Sequence, residues 1–259
     1  MVALEREVWG YTDSEDVVPP PVLIVSIKRG GILLGAFATA DALKGFVYSM
    51  PSIVQGRPAQ WSHMLGVAAD ARGAGLGLRL KVAQREAALD LGVDLIEWTF
   101  DPLQTTNAHL NFARLGVVAE EYVENVYGDS SSPLHRGVAT DRLIAQWRLR
   151  EPHVERRLSA PDGLLARDST VGAAPVINPS AAGADWRRPG PADLTVDARR
   201  VLVEVPVGFS DMLRRDPSLA IDWRTATRDI FTTYFAHGYR AVDFFRGTDA
   251  GRYLLARTD

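Results

Sequence analysis

The sequence has 259 residues, of which 46% are hydrophobic and 24% charged, and its formal net charge is −3. This is the composition of a globular protein with a sizeable core, and it argues against a disordered or fibrous chain. The net negative charge provides no positive electrostatic potential to attract a nucleic-acid backbone. The absence of cysteine excludes disulfides, thiolate catalysis and cysteine-based zinc sites.

Membrane and metal signals are also missing from the sequence. It contains no uncharged apolar run of about 18 residues, and its first residues lack the apolar segment of a signal peptide. The five histidines show no metal-ligand spacing. We therefore expect a cytoplasmic protein with no membrane, nucleic-acid or metal partner.

The first part of the chain predicts short strands followed by helices, the pattern of a mixed sheet with helices packed on it. Strand-like runs at 32–38 and 45–50 are joined by a short turn and predict a hairpin. A third strand is expected at 61–68. The apolar stretch 22–28 fits a strand or a short helix, because periodicity does not separate the two at this length.

A glycine-rich turn comes next, Arg72-Gly73-Ala74-Gly75-Leu76-Gly77. The residues after it predict an amphipathic helix, which ends at Gly92 as a left-handed cap. Its apolar stripe consists of Leu76, Leu80, Ala83, Ala87 and Leu91, and its polar face of Arg79, Lys81, Arg85 and Glu86. The next predicted elements are a strand at 94–100, a helix at 106–115 and strands at 117–127 and 142–149.

The C-terminal part begins with a change of composition. Residues 151–195 are rich in Pro, Ala, Gly and Ser, which is typical of a linker. A strand at 201–207, a helix from Asp216-Pro217 to about residue 236, and strands at 239–245 and 252–257 are predicted beyond it. We expect a first domain at 1–150, the linker, and a small α/β piece at 196–259 that packs on the first domain because it is too small to fold alone.

The glycine-rich turn has the features of an anion site. Glycines let successive N–H groups converge, and the helix N-terminus adds partial positive charge, so a pyrophosphate fits there without many cations. A glycine-rich helix start without a ligand is the alternative interpretation. The turn lacks the Gly-Lys-Ser/Thr ending of nucleoside triphosphate sites and the parallel repeat of dinucleotide sites.

The turn and its context resemble a known family. Arg72-x-x-Gly75-x-Gly77 is similar to the Q/R-x-x-G-x-G/A turn of the GNAT superfamily, whose backbone amides hold the pyrophosphate of CoA. The resemblance extends over about residues 8–150. It implies an α/β, GNAT-like fold with a mixed sheet, and the C-terminal strand-helix-strand extension could complete that sheet as a degenerate second GNAT half. The N-terminal strand and helix of the family are expected to be shortened. Further stretches resemble a bacterial subfamily of predicted acetyltransferases, among them Ser62-His-Met-Leu-Gly-Val67, Leu80-Lys-x-x-Gln84-Arg85 and Trp98-Thr-Phe-Asp-Pro-Leu103.

The resemblance implies an enzyme. It would transfer an acetyl or other acyl group, such as succinyl, from CoA to a primary amine of a small molecule such as an amino acid. A catalytically inactive CoA-binding sensor or scaffold, and an acyltransferase that uses a carrier-protein-bound donor, are the alternatives. A homodimer is compatible with each of these functions.

The resemblance also assigns site residues. The cofactor-binding set consists of Leu65, Gly66, Val67, Arg72, Gly73, Ala74, Gly75, Leu76, Gly77, Asn107 and Phe112. Leu65 to Val67 would lend backbone groups to the pantetheine arm, because the sheet of the family splays here and leaves strand N–H and C=O groups unpaired. Asn107 would bond that arm or cap its helix. Phe112 occupies the position at which many GNAT enzymes have a tyrosine that protonates the leaving thiolate.

Two residues are predicted to be catalytic. His63 lies nine residues before Arg72, a spacing at which the family can place a catalytic histidine, and it could accept the ammonium proton of the substrate. A histidine hydrogen-bonded within the sheet is the alternative. Tyr122 is a candidate for the missing general acid, with Tyr127 as a second one, and ordinary aromatic packing is the alternative for both.

Overall fold

The computed structural model describes residues 1–11, 17–39, 41–128, 138–160 and 174–257. Its elements in chain order are α1 (Val2–Trp9), α2 (Pro20–Lys28), β1 (Ile32–Phe37), β2 (Leu43–Val54), β3 (Arg57–Val67), α3 (Leu76–Asp90), β4 (Leu95–Phe100), α4 (Thr105–Ala108), a π-helix (His109–Leu115), β5 (Tyr122–Val123), β6 (Arg142–Arg148), α5 (Pro152–Ser159), β7 (Arg200–Pro206), α6 (Phe209–Arg215), α7 (Pro217–Ala236), β8 (Tyr239–Phe245) and β9 (Ala250–Arg257). Among these residues no helix is long and apolar enough to cross a membrane.

The strands form two sheets. One has the order β1-β2-β3-β4-β6-β5, and the other has the order β7-β9-β8. In the first sheet β1, β2 and β3 are antiparallel neighbours, whereas β3 and β4 run parallel. The second sheet is antiparallel throughout. The predicted α/β fold class with a mixed sheet is therefore confirmed.

The described residues divide into two compact units. Unit 1 contains residues 1–98 and 147–151, and unit 2 contains residues 99–128, 138–146 and 152–257. The boundary passes through β4 and β6, so each unit holds part of both strands.

In unit 1 both faces of the sheet are covered by helices. Phe46 and Tyr48 of β2 point to one face, where they pack with Leu4 of α1 and Leu23 of α2. Val47 points to the opposite face and packs with Leu76 and Leu80 of α3. This alternation follows from the two-residue period of a strand.

The core of unit 2 is aromatic around Tyr253 of β9. The ring of Tyr253 makes edge contacts with Phe112, Phe231 and Phe244, with ring centroids 4.8 to 5.5 Å apart. Its hydroxyl donates to the carbonyl oxygen of Pro102 at 2.7 Å. These contacts join residues near 100–112 to the C-terminal strands within one unit.

Most predicted elements are present, with shifted ends. The start of α7 is confirmed in detail, because Pro217 opens the helix and the Asp216 carboxylate accepts from the amide of Leu219. The ambiguous stretch 22–28 is helical, since it belongs to α2, which begins at Pro20. The strand predicted at 117–127 is reduced to Tyr122–Val123, and the left-handed backbone of Asn125 (φ 44°) follows it.

Three helices were not predicted from the sequence. They are α1, α6 and α5, and α5 lies inside the segment that was predicted to be a linker. Residues 161–173 of that segment lie outside the described residues. The predicted helix 106–115 is α-helical only to Ala108 and continues as a π-helix to Leu115.

Candidate active site

The glycine-rich turn lies in unit 1 between β3 and α3, as predicted. Gly73 and Gly75 have left-handed backbones, with φ of 81° and 73°, which side chains with a Cβ rarely adopt. A Cβ added to either glycine would meet nothing within 4 Å. The turn therefore presents bare backbone to open space.

The amide groups of this turn are available to a ligand. Gly75 is the N-cap of the 15-residue helix α3 and supplies no side-chain cap. Over the part of the chain that the structure describes, the N–H groups of residues 73–77 have no acceptor. Free amides at a helix N-terminus form an anion site, so the turn can hold the pyrophosphate of CoA.

Strands β3 and β4 separate before they reach the turn. They pair only at Gln60 with Ile96 and at Trp61 with Glu97, although β3 continues to Val67. Backbone groups on the β4-facing edge of β3 after Trp61 therefore have no partner in β4. We call this divergence the fork; it offers main-chain donors and acceptors to an extended ligand.

The predicted pantetheine residues follow the fork. Leu65, Gly66 and Val67 face Val47, Phe46 and Gly45 of β2. The carbonyl oxygen of Val67 accepts from Arg72 Nε at 3.1 Å. The side chain of Arg72 thus ties the turn to the end of β3, and the remaining guanidinium nitrogens are exposed.

The side chain of Lys81 of α3 packs against the sheet at the fork. Its side chain is only 2% exposed, and its Nζ lies 3.6 Å from the centroid of the Trp98 ring. The ammonium donates to Ser62 Oγ at 3.2 Å and to Gln84 Oε1 at 2.8 Å. Ser62 and Trp98 are the first residues of β3 and β4 after the last pair, so Lys81 packs on the face of the sheet where the strands diverge.

The position of Lys81 corrects a sequence prediction. Lys81 was expected on the polar face of α3, but it is buried together with Gln84, and no carboxylate of the described residues forms an ion pair with it. Burial holds its pKa well below the ordinary lysine value. The predicted apolar stripe is correct at Leu76 and Leu80, whereas Leu91 is exposed.

His63 lies in a β-bulge of β3. Tyr48 pairs with Met64 and Ser49 pairs with Ser62, which leaves His63 as the extra residue. Bulges redirect side chains and occur often next to active sites. The His63 side chain is exposed and meets the Tyr48 ring edge-on, with centroids 6.1 Å apart.

The chemistry of His63 suits a base. Desolvation lowers its pKa below the ordinary value of 6.5, so the ring is neutral at pH 7 and can accept a proton. The ring forms no hydrogen bond with any described residue, so the alternative of a histidine bonded within the sheet finds no support. The buried hydroxyl of neighbouring Tyr48 likewise lacks a partner among the described residues.

The other predicted site residues lie in unit 2. Asn107 is exposed in α4, whose N-cap is Gln104, so the capping alternative does not apply. Phe112 is fully buried between Phe100 and Tyr253. Their roles toward CoA stay predictions.

Tyr122 belongs to a polar network of unit 2. Its hydroxyl donates to Asp141 Oδ2 at 2.6 Å, and the same carboxylate pairs with Arg228 at 2.8 Å. Burial and the Asp141 carboxylate raise the pKa of Tyr122, so the hydroxyl stays protonated. Its role as general acid stays a prediction. The hydroxyl of Tyr127 is bonded to Thr99 at 2.7 Å.

Sequence reasoning missed the burial of Lys81, whereas the divergence of β3 and β4 was expected from the family resemblance. The spacing of Lys81 and Gln84, at i and i+3 on one helix face, is a signal that the two side chains are neighbours. Nothing in a single sequence indicates that these side chains pack against the indole ring of Trp98 and the hydroxyl of Ser62.

No protein-family model and no curated protein matches the sequence. Solved structures match part of it. The ribosomal-protein-S18-alanine N-acetyltransferase of Escherichia coli is 13% identical over 64% of this chain and 90% of its own, with a TM-score of 0.45. The ribosomal-protein-alanine N-acetyltransferase of Brucella melitensis is 19% identical over 56% and 88%, with a TM-score of 0.45.

A GNAT family acetyltransferase of Elizabethkingia anophelis, solved with acetyl-CoA bound, is 13% identical over 54% of this chain and 92% of its own, with a TM-score of 0.39. These structures are similar to part of this chain at 13–19% identity. At this level of similarity we base the function on the chain's own geometry.

Proposed function

We propose that this protein is an acyl-CoA-dependent N-acyltransferase that acts on a primary amine. The observation that carries the proposal is the fork between β3 and β4, which leads directly into a glycine turn with unpaired amides at the N-terminus of α3. A thioester on a long, hydrogen-bonding arm with a pyrophosphate at its far end matches this combination of features.

The residues present fit such a donor. The amides of residues 73–77 would hold the pyrophosphate, and the exposed guanidinium of Arg72 would lie beside it. The free edge of β3 would bond the pantetheine arm. A β3 amide near Leu65 is the proposed donor to the oxygen of the thioester carbonyl, where negative charge develops during attack.

His63 is the proposed general base. An ammonium cannot attack a carbonyl, so the amine must first lose a proton, which the neutral imidazole accepts. The amine nitrogen then bonds to the carbonyl carbon, the carbon–sulfur bond breaks, and the thiolate leaves and takes up the second proton that the nitrogen loses. The products are an amide and free CoA.

A CoA-binding protein without catalysis is the second candidate. It is favoured by Phe112, which stands fully buried at the position of the family's usual acid, and by the hydroxyl of Tyr122, which is already bonded to Asp141. The two candidates agree on CoA binding and differ in whether an amine releases free CoA.

The test of the donor site uses two glycine variants. Acetyl-CoA at about 100 times its Kd should stabilise the wild-type protein by about 2.7 kcal/mol through mass action. Gly75→Val should abolish this stabilisation, because the side chain blocks the approach to the amides. Gly56→Val is the matched control, since Gly56 has a φ of 77° and equally open surroundings in the β2–β3 turn.

Both substitutions carry the same left-handed strain of about 1–2 kcal/mol. Differential scanning fluorimetry with and without acetyl-CoA separates the strain from the loss of ligand. If Gly75→Val kept the ligand-induced shift in melting temperature, the turn would not be the pyrophosphate site.

A further inference from the structure

Helix α2 and strand β2 line a shallow, open apolar groove in unit 1. Its volume is about 480 Å³, and its lining consists of Pro21, Val22, Val25, Ser26, Met50 and Pro51. Binding sites for small molecules commonly have about 300–1,000 Å³. The groove is thus large enough for an isobutyl or phenyl group.

The helix above the groove exposes an unusual amount of apolar surface. Leu23 is the buried residue of α2, whereas Val25 is 60% and Ile24 53% exposed. Contiguous exposed apolar surface commonly marks a binding site. The residues beside this surface indicate which kind of ligand it binds.

Tyr48 links the groove to the proposed base. Tyr48, whose ring touches His63, and Met50, which lines the groove, pack on the same face of β2. Two residues along a strand span roughly 6.6 Å. An amine nitrogen at His63 therefore has the groove within reach of a substituent a few carbons long.

We infer that the acceptor is an amine with an apolar substituent, aliphatic or aromatic, which binds in this groove. The inference rests on the proposed function and specifies its substrate class. Amino acids with apolar side chains belong to that class, whereas amines with a second charge on the tail do not.

The absence of charge in the lining supports this choice. None of the six lining residues is ionisable, and the single polar one, Ser26, has a buried Oγ without a partner among the described residues. A charged tail would lose its hydration there and gain no counter-ion, which costs several kcal/mol. An apolar tail gains free energy for each buried methylene.

The experiment compares primary amines whose substituents differ in apolar size and in charge. Free CoA release is measured with ethylamine, 3-methylbutylamine, 2-phenylethylamine and 1,5-diaminopentane at constant acetyl-CoA. We expect kcat/KM to rise about fourfold per buried methylene, so that 3-methylbutylamine and 2-phenylethylamine exceed ethylamine by at least tenfold. The diamine should react no better than ethylamine.

Two variants on the same helix locate the effect. Val25→Asn should raise the KM for 2-phenylethylamine at least fivefold and leave that for ethylamine unchanged. Ile24→Asn is the control, because Ile24 is similarly exposed on α2 but does not line the groove. Asparagine introduces no charge, so long-range attraction of the ammonium is the same in both variants.

The outcomes separate this inference from the proposed function. If acetyl-CoA stabilises the protein and ethylamine or the diamine is the preferred substrate, the function stands and the inference is wrong. Equal effects of Val25→Asn and Ile24→Asn also overturn the inference alone. If no amine reacted although acetyl-CoA bound, the proposed acyl transfer and the inference would both be wrong, and the CoA-binding protein without catalysis would stand. If Val25→Asn converts a dimer to a monomer in sedimentation, the groove binds a second copy and the inference fails. If acetyl-CoA did not stabilise the wild-type protein, the proposed function itself would be wrong.

Discussion

Unit 2 contains a buried ion pair between Asp101, which directly follows β4, and Arg224 of α7. Arg224 is 5% exposed and Asp101 is 13% exposed, and two hydrogen bonds of 2.9 and 2.8 Å join them. Replacing Arg224 by methionine keeps the apolar stem but leaves the carboxylate without its main partner. Breaking a buried pair in this way costs about 3–5 kcal/mol.

The structure places the expected loss at the lower end of that range. Arg142 lies 3.9 Å from the Asp101 carboxylate, and the amide of Leu103 donates to it at 2.9 Å. Both remain in the variant. We therefore expect the free energy of unfolding of unit 2 to fall by about 3 kcal/mol in Arg224→Met.

The loss should depend on pH. Burial by itself would raise the pKa of Asp101, but Arg224 outweighs it and holds the pKa below the ordinary value of 3.8. The ionised carboxylate therefore stabilises the fold above pH 3.8, and this contribution is lost as the pH falls through the lowered pKa. In Arg224→Met burial dominates and the pKa of Asp101 rises. The difference in free energy of unfolding between the wild-type protein and Arg224→Met therefore decreases at acidic pH.

Urea unfolding followed by tryptophan fluorescence measures the effect. Arg214→Met is the control, because its exposed pair with Asp211 contributes about 0–1 kcal/mol. The double variant Asp101→Asn with Arg224→Met should recover part of the loss, since the buried carboxylate that lost its main partner is no longer present. If Arg224→Met cost no more than Arg214→Met, or if the double variant were less stable than the single one, the reasoning about this pair would be refuted.

Three further predictions concern function. His63→Gln should lower turnover by about 10²-fold, and the loss should shrink at high pH, where the amine is already neutral; a uniform loss across the pH–rate profile would contradict the base assignment. Lys81→Met should keep the melting temperature, because an ammonium buried without a carboxylate brings little net stability. It should weaken acetyl-CoA binding in calorimetry by about 2–10-fold, because the hydrogen bonds of Lys81 to Ser62 and Gln84 at the fork are lost. An unchanged affinity would show that Lys81 does not support acetyl-CoA binding. Tyr122→Phe should lower kcat by about tenfold or more if Tyr122 is the general acid, with the affinity for acetyl-CoA unchanged, and unaltered kcat would return Tyr122 to its network with Asp141.

The sequence predicts the elements around the turn well because their signals are local. The glycines at 73 and 75 adopt the left-handed backbone that only glycine adopts readily. Asp216 caps α7 and Pro217 begins it, which depends on a few adjacent residues. These features need no knowledge of tertiary contacts.

The features that were missed depend on distant residues. Lys81 belongs to the polar set of α3 by type, yet it is buried because Ser62 and Trp98, far along the chain, complete its surroundings. The bulge at His63 comes from the register with β2, which a single strand does not reveal. The place where β3 and β4 diverge is also a property of two strands together, and it was expected only through the family resemblance.

One measurement tests the central claim most directly. Purified protein with saturating acetyl-CoA is supplied with a panel of primary amines, and free CoA and acylated amine are quantified by mass spectrometry, with Gly56→Val and Gly75→Val measured in parallel. We predict equal amounts of CoA and amide from the wild-type protein and from Gly56→Val, and neither product from Gly75→Val. Release of CoA without an acylated amine, or undiminished turnover by Gly75→Val, would contradict an N-acyltransferase whose donor binds at the glycine turn.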